Sequence, residues 1–506
     1  MTDRPRLKTD TLAAGMAMLA ALTVAQRLIG FVRSMLFCRW LDAGQLGQWD
    51  LAYGFLMLAA PLAVLGVPGS LGRYVEHYRR RGQIKPFLSR MSAATLAAAG
   101  IALAMIAVER DWLSTLLFSR DDQTAFVLLL AVVLAAWIVH TLLVGIFNAL
   151  RMTRAVAVLQ FCHSLGFAII GLALLASFER SATGVVWSFA AASAVSSAIG
   201  LAWLAGCWHS LPDDRAPELE ASDAQLTLHA LWTRIAPFAL WVWITNALGN
   251  LFGLADRWMI MHFSGLSEAD ALAQLGQYHS ARIMPLLFLG VAEMLAGQVT
   301  PHLAHDWEAG RRDEVSRRLN LILKLFALCL FAVGTALLIA APLLFHWALA
   351  GKYAAGMALL PWTLMYCIWG SLAVVATNYL WWAERARLAS LALALGLLLN
   401  LALGAWLLPR YGLSGAVWGT AAANLFMLAA IYGAACKSGM RCDPGVCLAA
   451  LAPLVFLGGA WFALGMLAIL CVLSCRGGLL LSRAVSVGNE TGYGVTFWKR
   501  VRSDGK

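Results

Sequence analysis

Charge is what this chain has least of. Only 13% of its 506 residues are Asp, Glu, Lys or Arg, 61% are apolar, and the mean hydropathy is +0.74. So little polar surface cannot coat a water-soluble body of this length. Period-two alternation with an outward apolar band is also missing, which excludes a membrane barrel. The ten cysteines contain no CxxC pair, and Cys436, Cys442 and Cys447 have no histidine nearby to complete a zinc set, so no metal is expected. Cys38, Cys162, Cys207, Cys329 and Cys367 fall in or beside apolar runs and read as small apolar fillers. No small-residue cleavage site follows the first apolar run, which therefore reads as a retained helix.

What the chain has in abundance is apolar runs of about 20 residues, each long enough to span the hydrocarbon of a bilayer as a helix. The expected spans are 11–41, 47–72, 86–108, 125–150, 155–178 and 182–208, then 233–263, 271–300, 319–348, 354–382, 387–408 and 412–435. Residues 446–481 are one further helix or a pair broken near Gly458 and Gly459. The fold class is thus an all-α polytopic membrane protein of 13 to 14 spans.

The two sets of six are copies of one unit. QLGQW at 45–49 returns as QLGQY at 274–278, a shift of 229. Gly82 and Gly310, within basic segments, differ by 228; NAL at 148–150 and NYL at 378–380 differ by 230; GVVWSFAAA at 184–192 and GAVWGTAAA at 415–423 differ by 231. Four matches in one order at nearly one interval indicate internal duplication. The expected layout is an N-lobe over 1–208, a cytoplasmic linker over 209–232 centred on SLPDDRAPELEASDAQ, a C-lobe over 233–435, and a C-terminal helix or hairpin with a basic tail over 436–506.

Most arginines and lysines between spans fall on one side, Arg79 to Arg81, Arg151, Arg311, Arg312 and Arg385 among them, which places the amino terminus in the cytoplasm. The same bias accounts for the net charge of +11 without nucleic acid. With six spans per copy, both copies start on the cytoplasmic face, so the repeat is parallel, its pseudo-twofold axis along the membrane normal. Every non-cytoplasmic loop is then about 20 residues or shorter, too little for the catalytic carboxylates of a glycosyltransferase or polymerase, and no enzyme activity is expected.

Arg27 lies deep in the first span, where a charge costs about 2.5 to 3.5 kcal/mol on insertion scales. Adding 229 to 27 reaches Asp256 and Arg257, also deep in a long helix. With Arg282 in the eighth span and Arg33 further along the first, these arginines are candidates for gripping an anionic head, because guanidinium forks take phosphate oxygens in paired hydrogen bonds. The alternative is structural: Arg27 and Asp256 pair, and Arg257 snorkels. Asp256 and Glu293 are candidates for binding a coupling ion. His140 reads as a packing residue, and Trp241 and Trp243 as interfacial anchors. No cofactor is called for.

RLIGFVRSMLFCRWLDAGQLGQWDLA at 27–52 and LGVPGSLGRY at 65–74, with LADRWMI at 254–260 and LGQYHSARI at 275–283, resemble Wzx-type flippases of the multidrug/oligosaccharidyl-lipid/polysaccharide exporter superfamily. The resemblance implies an alternating-access carrier that moves undecaprenyl-pyrophosphate-linked oligosaccharide from the cytoplasmic to the periplasmic leaflet of a bacterial inner membrane. It also implies that arginines on the first and eighth helices, here Arg27 and Arg282, line a central cavity. Membrane lipids, a polysaccharide polymerase and a chain-length regulator are the partners it implies. Lipid II flippases and cation-coupled multidrug antiporters share the superfamily and stand as alternatives.

Overall fold

A computed structural model describes residues 12–66, 71, 75, 78–79, 82–119, 122–177, 180–208, 211 and 228–475. The basic amino-terminal ten residues, Arg80, Arg81, residues 209–227 of the linker apart from Leu211, the basic carboxyl-terminal tail and the side chain of Trp241 lie outside the described residues, and 228–232, expected in the linker, begin α8. Among the described residues the chain is helical, in sixteen α-helices. They are α1 (Leu12–Trp40), α2 (Ala43–Ala63), α3 (Ile84–Val108), α4 (Arg110–Phe118), α5 (Thr124–Ala149), α6 (Thr153–Ser177), α7 (Ala182–Trp208) and α8 (Leu228–Phe263). There follow α9 (Glu268–Arg282), α10 (Leu286–Glu308), α11 (Arg312–Leu343), α12 (Ala354–Trp382), α13 (Ala386–Tyr411), α14 (Leu413–Lys437), α15 (Pro444–Leu451) and α16 (Ala460–Cys475). Nine spans among the described residues are long and apolar enough to cross a membrane.

The repeat interval persists in the helices. Those beginning at Ile84, Thr124, Thr153 and Ala182 have counterparts beginning at Arg312, Ala354, Ala386 and Leu413, offsets of 228, 230, 233 and 231. Two expectations are corrected. The span expected over 271–300 is two helices, α9 and α10, interrupted at Ile283–Pro285, because Pro285 has no N–H to give the helix and its ring crowds the preceding turn. The short α4 was not expected; it ends at Ser119 in the left-handed region, φ +58°.

Two compact units are present. The first holds residues up to Ile283 together with His346–Ala354 and Leu397–Ala416. Its centre is the crossing of α2 and α9. A Cβ on Gly47 would lie 1.9 Å from the Leu272 carbonyl oxygen, and one on Gly276 would lie 2.0 Å from the Ala43 carbonyl oxygen. Gly276 is Gly47 plus 229, and Leu272 is Ala43 plus 229, so the contact is reciprocal: each copy's glycine accepts the other copy's backbone. The segment His346–Ala354 is sewn to the end of α1. Tyr353 donates its hydroxyl to the Cys38 carbonyl at 3.0 Å, Lys352 Nζ donates to the Arg39 carbonyl at 2.8 Å, and Arg39 Nη1 donates to the Trp347 carbonyl at 2.7 Å. The first two bonds satisfy carbonyls that the end of α1 leaves open.

The second unit holds Met284–Phe345, Ala355–Gly396 and the chain from Val417 onward. In it the C-terminal helices form a pair, with a 3-10 turn over Ala452–Gly458 and Gly459 at φ +92° between α15 and α16. Trp369 Nε1 donates to the Ala450 carbonyl at 2.7 Å, and Phe456 stacks on Phe331 where Gly334 leaves room. Asn320 bridges the Tyr432 hydroxyl and the Arg441 carbonyl, and Lys324 pairs with Asp443 at 2.7 Å. Cys436 and Cys442 form a disulfide across this loop, a pairing not foreseen from their spacing.

Alanine at Gly47 or Gly276 therefore places a methyl inside a backbone carbonyl's contact distance and is expected to destabilise the protein by at least about 1–3 kcal/mol. Gly100→Ala, where nothing lies within 4 Å, is the control. Thermal unfolding of the detergent-purified protein should drop for the first two variants and hold for the third.

Candidate functional site

The crossing glycines begin two matched helix faces. On α2 the face runs Gly47, Asp50, Tyr53; on α9 it runs Gly276, His279, Arg282, each pair 229 apart, since spacings of three keep residues on one side of a helix. Asp42 caps α2 by accepting from the Gln45 N–H at 2.7 Å, and Ser267 caps α9 by accepting from the Asp270 N–H at 3.3 Å, which fixes where each face starts. Gln45 in turn accepts from the Ala182 N–H at 2.6 Å at the start of α7.

Asp50 is 1% exposed and is the focus of the site. Arg257 of α8 meets it as a fork, Nε donating to Oδ2 at 2.7 Å and Nη2 to Oδ1 at 3.1 Å. His279 Nδ1 lies 2.7 Å from Oδ1; an ionised carboxylate only accepts, so Nδ1 carries the proton. Arg282 Nη1 stands 3.7 Å from Oδ2, its guanidinium 4.6 Å from the Tyr278 ring centroid. Gly54 leaves room for the Arg257 side chain: a Cβ there would lie 3.1 Å from Arg257 Nη1.

One turn along α2, the Tyr53 hydroxyl feels the charges of Arg33, Arg257 and Arg27 together. Arg27 is exposed on α1. Arg33, half-buried on the same helix, holds its guanidinium 4.1 Å from the Phe167 ring centroid. Of the four arginines chosen from the sequence, Arg257 and Arg282 meet at Asp50, an α2 residue that the sequence reading passed over, while Arg27 and Arg33 lie on α1.

Asp256 is directed elsewhere. Buried, it accepts from the Tyr278 hydroxyl at 2.6 Å and from Asn400 Nδ2 at 2.8 Å. Arg257 does not snorkel; its side chain is 7% exposed and is held by Asp50. Glu293, on α10, belongs to the second unit and is exposed. His140 is a packing residue as expected: its Nδ1 meets Ser196 Oγ at 2.8 Å and its ring stacks on Trp137 and His163. Among the described residues no group of acidic, His and Cys side chains is arranged to hold a metal ion.

The arrangement is an arginine-rich cluster with one carboxylate among its guanidiniums and a second, Asp256, turned to neutral donors. It can hold an anion, and its positive excess repels a cation.

A model of the family described as polysaccharide biosynthesis protein matches residues 12–303. No curated protein matches the chain. Among solved structures, the lipid II flippase MurJ in an inward closed conformation is 12% identical over 93% of this chain and 100% of that one, with a TM-score of 0.67. An inward-facing multidrug resistance MATE family transporter of the MOP superfamily is 12% identical over 83% of this chain and 97% of that one, TM-score 0.59. A MOP superfamily transporter from Pyrococcus furiosus, described as having a binding pocket of reverse polarity, is 11% identical over 84% of this chain and 94% of that one, TM-score 0.60. The chain shares the polytopic membrane fold of these structures.

Tyr278→Phe removes the hydroxyl given to Asp256 and keeps the ring under Arg282. Loss of a hydrogen bond to a buried carboxylate is expected to cost about 1.5–3 kcal/mol. Combined with Asp256→Asn in a double-mutant cycle, the two effects on thermal unfolding should be strongly non-additive; additive effects would show that the bond contributes nothing.

Proposed function

The chain belongs to the polysaccharide biosynthesis protein family, a family of membrane transporters and not of enzymes, and on that footing we propose that it flips undecaprenyl-pyrophosphate-linked oligosaccharide across a bacterial inner membrane. In this reading two six-helix lobes, related by a parallel pseudo-twofold repeat, rock about a central cavity, with the amino terminus in the cytoplasm. Arg27, Arg33, Arg257 and Arg282 grip the pyrophosphate, the glycan occupies the wetted cavity, and the polyprenyl tail stays in lipid. A polysaccharide polymerase and chain-length regulator would receive the product on the far side.

The observation that carries this reading is the meeting of Arg257 and Arg282 at the buried Asp50. Guanidinium groups offer paired, charge-assisted hydrogen bonds to phosphate oxygens, and several of them match a doubly phosphorylated head better than any single one would. Cationic drugs fit the site poorly, which sets the antiporter alternative behind. Lipid II presents the same pyrophosphate, and the family match to polysaccharide biosynthesis favours an oligosaccharide over it. Asp256 and Glu293 keep their candidacy for ion coupling, Asp256 as the buried member.

Arg27→Ala is expected to abolish glycan export in cells while the protein remains in the membrane at its normal level. Arg27→Lys should retain part of the export if charge alone suffices, and almost none if the fork is needed. Surface glycan quantified by immunoblot, against membrane protein quantified from the same cells, is the measurement. Undiminished export by Arg27→Ala would refute the assignment.

A further inference from the structure

The repeated segment carries two glutamines in each copy, and the copies use them differently. In the first copy Gln48 Nε2 donates to Gln123 Oε1 at 3.4 Å, just ahead of α5, and Gln45 Oε1 accepts from the Ala182 N–H at 2.6 Å, at the first residue of α7. In the second copy Gln277, which is Gln48 plus 229, donates from Nε2 to the Lys352 carbonyl at 3.1 Å, just ahead of α12. Lys352 is Gln123 plus 229, so this tie is the same in both copies. The other is not. Gln274, which is Gln45 plus 229, has its Oε1 buried with no donor to meet it. The position that answers to Ala182 is Leu413, the first residue of α14, because GVVW at 184–187 and GAVW at 415–418 align at a shift of 231. Gln45 thus caps α7, while its counterpart leaves the start of α14 uncapped.

We propose that Gln274 is a state-dependent cap: in the carrier's other conformation its Oε1 accepts from the Leu413 N–H, as Gln45 accepts from Ala182 in this one. A buried amide oxygen without a donor is unfavourable, and an apolar side chain of similar size would avoid the cost. A glutamine at this position is accounted for when its donor arrives in a second arrangement of the helices. The first N–H groups of a helix suit that role, since nothing inside the helix accepts from them. Gln274 and Leu413 belong to the same compact unit. Gly412 alone separates α13 from α14, and it stands at φ +58°, so the start of α14 hangs on a residue with wide backbone freedom. Closing the cap ties α14 to α9 as α7 is tied to α2, and brings the second copy into the form that the first already has. The inference rests on the alternating access in the reading above and not on its cargo.

The test is disulfide trapping of the full chain in native membranes, with copper phenanthroline as oxidant and the cross-linked peptides identified by mass spectrometry. Gln45→Cys with Ala182→Cys marks a standing contact and should close at the earliest time of oxidation. Gln274→Cys with Leu413→Cys should close slowly but extensively, as carriers pass through the other conformation. A second pair that never closes, or that closes as fast as the first, overturns the state-dependent cap. Gln274→Leu gives a measurement free of introduced cysteines. Its thermal unfolding in detergent should match wild type, because no bond is lost from this conformation, whereas Gln45→Leu should unfold at a lower temperature. Glycan export by Gln274→Leu should nevertheless fall about fivefold, the change in population that loss of a typical helix cap produces. Undiminished export, or a drop in unfolding temperature equal to that of Gln45→Leu, overturns the proposal. Trapping is read without reference to any head group: its failure leaves the arginine reading standing, and failure of the Arg27→Ala test leaves the cap standing.

Discussion

The Asp50–Arg257 ion pair is the interaction on which the rest of the first unit depends. Each partner taken alone into so apolar an interior would cost several kcal/mol, and the attraction between them repays this only with good geometry and with the remaining valences filled. Both conditions are met: the guanidinium meets the carboxylate with two nitrogens, Arg257 Nη1 donates to the Gly253 carbonyl at 2.6 Å, and His279 fills a further site on Asp50. The consequence is that α2, α8 and α9 are bound through one atom group. Whatever moves Asp50 is felt on all three helices.

That close approach is made possible by what is absent from neighbouring positions. Gly47 and Gly276 let two backbones cross within the reach of a methyl group, and Gly54 clears the path of the Arg257 side chain. Without hydrophobic driving force between helices in lipid, such close packing and the polar bonds it permits are the main sources of association. The seam between His346–Ala354 and the end of α1 follows the same logic by other means, with Lys352 and Tyr353 supplying donors to carbonyls that lipid cannot satisfy.

Much of this was legible in the residues. The apolar runs marked the helices because length and hydropathy suffice for a membrane span, and the QLGQW and QLGQY segments marked the α2–α9 crossing because their glycines have a packing reason to recur. Arg27 and Arg257 were legible by depth and by the repeat interval, since a charge far from either helix end needs a partner or a purpose. Asp50 and His279 were missed because they lie near where the expected spans 47–72 and 271–300 begin, where charge looks inexpensive. Yet each is the residue immediately after the repeated segment, and comparing the two copies position by position would have paired them, along with Tyr53 and Arg282. The break at Pro285 was missed: the run over 271–300 reads as one span, but the three residues before α10 form a turn instead of a helix. The Cys436–Cys442 disulfide had no signal, since a spacing of six matches no metal or redox pattern.

The site's charge balance explains why a buried carboxylate and a surplus of arginine occur together. A cluster of guanidiniums with no counter-charge would repel itself and open, and one with equal numbers of carboxylates would be satisfied and have no use for a ligand. Asp50 neutralises enough to hold Arg257 and Arg282 close, while Asp256, one residue from Arg257, is spent on the Tyr278 hydroxyl and the Asn400 amide. In a low-dielectric interior the charges of Arg257 and Arg282 are worth far more than on a water-facing surface, and the proposed capture of an anionic head draws on that difference.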